Sequence, residues 1–402
     1  MSDVAATADR EASLEAVRQS LGTRLRSGGG RMRSRKAREA WLGFFFVLPA
    51  LTVFAVFIFY PFVRNFWLGF HKSNPFTGAS RWVGWSQWVD KLQLDSVPSS
   101  IAAAIPWAVG FTAIALGIRV WRRRHAATRF ARSDVRFAVT TGLTLLALVS
   151  LWEYSYQWND PKDFTHALHV TFLLTLYAMP AAILGGLLLA VLLHERLRGV
   201  PIFRLSYSIP IVAGPGVAGV MFVKFFNPEV GLLPWLLDKH DGLVHLMDLS
   251  QSPLENPKLA LPAVALVMVW MNIGLAFIIM SAGLQGVPDH LYEAAKVDGA
   301  GAWSRFWRVT VPMMSPTLFF ATVMGTIIVM VQSFGVIEVL TQGGPHPYET
   351  TTTVPVLIVH LVNSSNPNLN LAGIYSVGLF LVTMGLTLFQ VRVLERWVTY
   401  ER

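Results

Sequence analysis

The chain has 402 residues, 53% hydrophobic and 14% charged, with a mean hydropathy of +0.48 and a formal net charge of +9. Soluble proteins carry about 25% charged residues, so this composition excludes an ordinary soluble globular domain. There is no cysteine, which excludes disulfides and thiolate metal sites, and the positive charge is bunched rather than spread, which argues against nucleic acid as the partner.

A membrane-spanning helix needs roughly 20 mostly apolar residues. Eight segments qualify, at about 41–62, 101–118, 137–153, 168–193, 205–226, 259–284, 313–340 and 371–391. The third is short and the second contains Pro106. The apolar runs are continuous, not alternating, which predicts helices and not a barrel. The predicted fold class is all-α: a polytopic transmembrane helical bundle of about eight spans.

In chain order, residues 1–40 form a basic polar tail. Leu14, Val17, Leu21 and Leu25 fall near helical spacing, and a basic run, Arg31 to Arg38, follows Ser27-Gly28-Gly29-Gly30. Two readings stand: a surface helix on anionic lipid, or an unstructured tail whose charges set topology. The first apolar run begins at Trp41 at full length, which reads as an uncleaved helix and not a signal peptide. With a cytoplasmic N-terminus and alternate crossings, segments 1–40, 119–136, 194–204, 285–309 and 391–402 hold 25 of the 33 Lys and Arg, and 341–370 holds none. This positive-inside bias places both termini in the cytoplasm and supports the second span, without which Arg122-Arg123-Arg124 would lie outside.

Several polar groups interrupt apolar runs. His166 and His169 are spaced to share a helix face, but no HExxH surrounds them, so a structural pair is the reading. Lys224 lies near an outer helix end, where it could attract an anion or snorkel to the interface. Asn227-Pro228 and Gly231 signal a turn. Asn272 interrupts one span; Thr326, Gln332, Ser333 and Glu338 interrupt the next. Such groups line a cavity or bond neighbouring helices. Amides and hydroxyls suit a sugar or polyol, whose hydroxyls need donors and acceptors.

Between these two spans lies the most informative stretch. Pro288-Asp289 can open a short helix carrying Leu291, Ala294, Ala295 and Val297; Gly299 and Gly301 break it; Ala302 to Trp307 can form a second. The pattern is Glu293-Ala294-Ala295, three residues, Gly299, nine residues, then Val309-Thr310-Val311-Pro312.

This pattern resembles the EAA loop of permease subunits in binding-protein-dependent ABC importers, with Val309 and Val311 where that family often carries Ile and Leu. Other stretches resemble the carbohydrate-type permeases, of maltose and sn-glycerol-3-phosphate kind. They are Phe46-Val47-Leu48-Pro49-Ala50, Tyr60-Pro61, Leu173 to Leu176, Gly185 to Ala190, Arg198-Gly199, Phe226-Asn227-Pro228 and Gly231-Leu232-Leu233. Further along come Ser315-Pro316-Thr317, Leu340-Thr341-Gln342-Gly343-Gly344-Pro345, Thr350 to Thr353 and the ending Arg396 to Tyr400. The resemblance divides the chain into a tail (1–40), a first core helix with its outer loop (41–95), an inserted helix pair (96–160) and a permease core (161–402) with the loop at 285–312. The insertion has no assigned function; a lipid-facing packing role is one reading.

The resemblance implies a transport subunit with no catalytic residue, metal or cofactor of its own. The chain carries no Gly-x-x-x-x-Gly-Lys-[Ser/Thr] phosphate loop, so ATP and Mg would bind a separate ATPase. The implied partners are a second permease forming a heterodimer, two ATPase subunits, an extracytoplasmic solute-binding protein that would dock on the outer loop 341–370, and membrane lipid. Glu293, Ala294, Ala295, Asp298, Gly299 and Pro312 would couple to the ATPase, with Glu293 contacting it or pairing with Arg305 or Arg308. Asn272, Thr326, Met330 and Ser333 fall at or near the sugar-lining positions of the maltose-type permease, and Gln332, a polar interruption of the same span, is assigned to the substrate-binding set with them. The expected location is the plasma membrane of a prokaryote. The alternative is an ion-coupled secondary transporter, which would want central ionisable groups and paired broken helices; a membrane-embedded enzyme ranks third.

Overall fold

A computed structural model of the chain describes residues 41–73, 80–124, 143, 146, 148–154, 163–193, 209–210, 212–233, 235 and 252–394. The tail 1–40, most of the span at 137–153, Arg198-Gly199, the first residues of the span at 205–226 and the ending Arg396 to Tyr400 lie outside the described residues. Two compact units divide the chain, Met1–Arg64 and Asn65–Arg402.

Helix α1, Trp41–Leu68, makes up the described part of the first unit and runs on past Arg64. Most of its side chains are apolar and exposed, as suits a lipid-facing element. Residues Ala55–Phe59 are wound one residue wider than an α-helix, the Tyr60 N–H reaching Ala55 O. Pro61 explains this: it has no N–H for the turn behind it.

The second unit begins with a hairpin, β1 (His71–Ser73) antiparallel to β2 (Ser80–Trp82), and a short helix α2 (Ser86–Lys91). Phe70 stacks on Trp82 at 5.3 Å, and Trp88 is buried beside them. The helices that follow are α3 (Val97–Arg124), α4 (Phe164–Leu192), α5 (Pro215–Phe225) and α6 (Ala260–Gln285). After α6 come the short helices α7 (Asp289–Val297) and α8 (Ala302–Arg305), then α9 (Ser315–Gln332), α10 (Phe334–Leu340), α11 (Val354–Asn363) and α12 (Leu369–Leu394). Among the described residues six helices are long and apolar enough to cross a membrane: α1, α3, α4, α6, α9 and α12.

Three expectations change in detail. The span at 205–226 contains the shorter helix α5, beginning at Pro215, a residue suited to a helix start. The span at 313–340 is two helices, α9 and α10, parted at Ser333. The polar loop 341–370 contains an apolar helix, α11, which carries four buried residues, Val354 to Leu357, at its start. Of the inserted pair, α3 runs through Pro106, and residues 148–154 are helical.

The core of the second unit is built on α4 and α6. A β-carbon added at Gly186 would lie 2.6 Å from Ala276 Cβ and 2.7 Å from the Phe277 backbone nitrogen. The two backbones therefore meet directly, the close approach that small residues allow between membrane helices. Helices α5 and α10 pack together, as do α11 and α12, and α9 lies against both α4 and α12.

Replacing Gly186 with valine forces α4 and α6 apart. Overpacking of this kind costs about 1–3 kcal/mol or more. We expect a lower Tm and a lower folded yield for the purified subunit, while Gly110→Val, at a position with nothing within 4 Å, leaves both nearly unchanged. Equal stability of the two variants would contradict the packing described.

Candidate functional site

The segment between α6 and α9 is a compact double helix–turn that the sequence places in order. Leu284 O accepts from Val287 N–H and ends α6; Pro288, with ψ 133°, turns the chain, and Asp289 begins α7. Asp289 sits in the first turn and Lys296 in the last, each matched to the helix dipole. At the C-terminus Gly299 has φ +75°, its N–H donates to Lys296 O, and Ala300 N–H donates to Ala295 O. This is a Schellman cap, with Gly299 as the left-handed residue. It explains the spacing: the cap joins the last alanine of the triplet to the residue just after the glycine. Gly301 is extended, at φ −65° and ψ 168°, and its oxygen accepts from Arg305 N–H to start α8.

Phe306–Thr310 then widens by one residue, with Val311 N–H reaching Phe306 O. Pro312 accounts for it as Pro61 does in α1, because a proline cannot donate to the preceding turn. The two arms are joined by Tyr292 Oη and Thr310 Oγ1 at 3.0 Å, with Thr310 buried. Tyr292, Phe306, Val309 and Met313 pack against the core cluster. Sequence reasoning missed the Tyr292–Thr310 fastener; its one signal was a hydroxyl amid the apolar Val309, Val311 and Pro312.

The loop's outer surface is open. Glu293, Ala294, Lys296, Val297 and Asp298 are exposed, and Val297 is 88% exposed. Trp303, 74% exposed, lies 5.8 Å from Trp307 between ring centroids. Exposed aliphatic and aromatic groups rimmed by charges mark an interaction surface. Among the described residues Glu293 makes no ion pair with Arg305 or Arg308, so its carboxylate faces outward.

The five predicted lining residues do not converge on one cavity. Asn272 donates to Met268 O at 2.8 Å and borders a cavity of about 30 Å³ between α4, α6 and α9, room for a single water. Thr326 borders a different, largely apolar cavity of about 310 Å³ with Thr322 and Gln390, and accepts from Gln390 Nε2 at 2.9 Å. Met330 is fully buried in a second apolar cluster, and Gln332 is exposed. Ser333 is buried at the α9–α10 break, 3.0 Å from Thr353 Oγ1. Glu338 bonds His360 Nε2 at 2.9 Å.

His166 and His169 lie buried in the first turns of α4, with the His169 ring 4.7 Å from Trp152. Lys224 is exposed in the last turn of α5. After it, Asn227 Oδ1 accepts from the backbone of Glu229 and Val230, making the turn expected there. The segment Thr341–Thr353 is knotted by its own side chains. Thr341 and Thr351 hydroxyls meet at 2.6 Å, Thr352 donates to Gly343 O, and buried Glu349 bonds His346 at 2.8 Å.

Residues 171–400 match the family described as binding-protein-dependent transport system inner membrane component. The sn-glycerol-3-phosphate transport system permease protein UgpA of Brucella abortus biovar 1 (strain 9-941) is 32% identical over 254 residues, 63% of this chain and 82% of that protein. The protein of the same name from Yersinia pestis is 26% identical over 362 residues, 90% of this chain and 97% of its own length. A bacterial ABC transporter involved in import of the acidic polysaccharide alginate has the same fold, with a TM-score of 0.58 and 18% identity over 90% of this chain and 98% of that one. The chain belongs to the binding-protein-dependent transport system inner membrane components. It is a multi-pass permease subunit of the inner membrane, a transport component rather than an enzyme, and this favours the importer over the ion-coupled alternative.

The geometry of the loop makes one test direct. Tyr292→Phe or Thr310→Val removes a hydrogen bond worth about 0.5–1.5 kcal/mol, and Gly299→Ala forces a left-handed conformation costing about 1–2 kcal/mol. Hydrogen exchange of the amides of α7 is expected to speed up roughly three- to tenfold in each variant, with the Tyr292→Phe and Thr310→Val effects non-additive. Unchanged exchange in all three would contradict a pinned loop.

Proposed function

We propose that this member of the family is one of two permease subunits in an ATP-driven importer of a sugar- or polyol-type solute, a class that includes oligosaccharides and sn-glycerol 3-phosphate. The second permease completes a heterodimer, two ATPase subunits bind on the cytoplasmic side, and a solute-binding protein delivers cargo from outside. ATP and Mg bind the ATPase subunits. The N- and C-termini are cytoplasmic, in keeping with the positive-inside bias of the sequence.

The observation that carries this reading is the exposed, internally fastened loop from Asp289 to Pro312. A helix of nine residues with an outward Glu293 and Val297 is short enough to enter a cleft of a soluble partner. Only Gly286, Val287 and Pro288 separate it from α6, its Schellman cap fixes its far end, and the Tyr292–Thr310 bond ties it to the segment leading into α9. Displacement of α7 by closing ATPase subunits is therefore passed to α6 and α9, the two helices that carry the proposed solute contacts. Solute and ATPase must bind the inward- and outward-open states unequally for the cycle to run. Coupling is assigned to Glu293, Ala294, Ala295, Asp298, Gly299 and Pro312.

Solute contacts are assigned to Asn272, Thr326, Met330, Gln332 and Ser333. Gln332 is exposed, whereas Thr326 and Ser333 now bond Gln390 and Thr353 and would exchange those partners for solute hydroxyls. Relatives named for sn-glycerol-3-phosphate transport support the polyol end of the class.

The test is uptake into vesicles holding the whole assembly. Wild type is expected to need ATP and the binding protein and to ignore ion gradients. Glu293→Lys with Gly299→Asp should lower uptake at least tenfold and strip the ATPase from the purified assembly. Gradient-driven uptake without ATP would overturn the proposal.

A further inference from the structure

We infer that the pocket enclosed by β1, α2 and the start of α12 is a binding site for a phosphate-bearing polyol. The pocket holds about 560 Å³ and is lined by Lys72, Gln87, Lys91, Asn366, Asn368 and Asn370, with buried Ile374 beneath them. That volume is within the range of small-ligand sites, roughly 300–1,000 Å³.

Its charge is one-sided. No carboxylate lines it, although the neighbouring cavity of about 640 Å³, which shares Lys91, is lined by Asp90, Asp163 and Glu349. Lys72 lies directly across the hairpin from Arg81, and like charges so placed repel. Among the described residues neither has an ion-pair partner. Lys91 has one, Asp90 at 2.8 Å, on a half-exposed surface where such a bond is weak.

The amides complete the donor set. Among the described residues the side chains of Gln87 and Asn366 make no hydrogen bond. Asn368 uses its Oδ1 to accept from Leu371 N–H, leaving its NH₂ group. Carboxamides both donate and accept, which matches hydroxyl groups, while ammonium groups only donate, which matches phosphate oxygens. The walls are held in place: Asn370 Nδ2 donates to His71 O, Asn368 N–H donates to Leu361 O at 3.0 Å, and Ser364 Oγ donates to Asn366 O at 2.8 Å. Cation for phosphate and amide for hydroxyl are thus presented together on a fixed frame.

A phosphate-bearing polyol has two sources, a soluble polyol phosphate and the glycerophosphate headgroup of a phospholipid. The inference rests on the importer reading only for which side of the membrane the pocket faces.

The experiment uses the purified assembly in phosphatidylcholine nanodiscs, without ATP, so that it is independent of transport. In one arm sn-glycerol 3-phosphate is titrated by calorimetry, with glycerol as the phosphate-free control. In the other, phosphatidylglycerol is added to the nanodiscs and retained lipid is counted by native mass spectrometry. Lys72→Glu with Lys91→Gln is expected to weaken binding at least tenfold, Lys72→Arg to keep it within threefold, and Gln87→Ala with Asn366→Ala to weaken it severalfold. A Lys72-dependent loss in the first arm identifies the solute as ligand, and in the second arm the lipid headgroup. If Lys72→Glu with Lys91→Gln matches wild type in both arms, the inference is overturned. Failure of the importer reading would show instead as ATP-independent uptake, whatever the outcome at Lys72.

Discussion

The backbone contact of α4 with α6 is the constraint on which the rest depends. At Gly186 a single methyl group would collide with Ala276 and Phe277, so the two helices with the largest buried shares meet backbone to backbone. Helix α6 then ends only a few residues before α7, and α9 packs on α4 just beyond the loop. The exposed loop is therefore an extension of the tightest part of the core and not a pendant. Rigid connection of this kind is what a device needs if a force applied at its surface is to move helices.

A second constraint is that lipid offers no partner for backbone or side-chain polar groups. Among the described residues, the break between α9 and α10 falls where substitutes are at hand. At the α9–α10 break Ser333 meets Thr353, and the first N–H of α11 donates to Thr171 of α4. Thr171, Thr175, Thr322 and Thr326 each return their hydroxyl proton to a carbonyl four residues back. Several of the residues that resemble sugar contacts thus hold helices together in this conformation. A site that alternates between two states can use the same hydroxyls for both purposes, one partner in each state.

Much of the loop was legible because local chemistry fixes it: a proline that starts a helix and a glycine four residues after Ala295. The widened turn at Phe306–Thr310 was not, because the expected helix from Ala302 to Trp307 took no account of the missing N–H of Pro312. The all-helical membrane architecture was legible from continuous apolar runs. The break at Ser333 was not, because an apolar stretch reads the same whether its helix is whole or parted. Helix α11 was hidden by the threonines, glycines and asparagines around it, which give its segment the composition of a loop. The Tyr292–Thr310 bond joins residues eighteen apart and has no local signature. The separation of Asn272 from Thr326 into different cavities depends on how α9 rotates against α6, which spacing within either helix does not report.

Because the chain has no cysteine, one introduced thiol reports on one place. The most direct test of the coupling-loop account is cross-linking of Val297→Cys to the ATPase in the assembled importer. Val230→Cys, after α5 and also strongly exposed at 76%, serves as the comparison. The account predicts a cross-link to the ATPase from position 297 that changes in yield with ATP, and none from position 230. No cross-link from 297 in an intact assembly, or an equal one from 230, would contradict it.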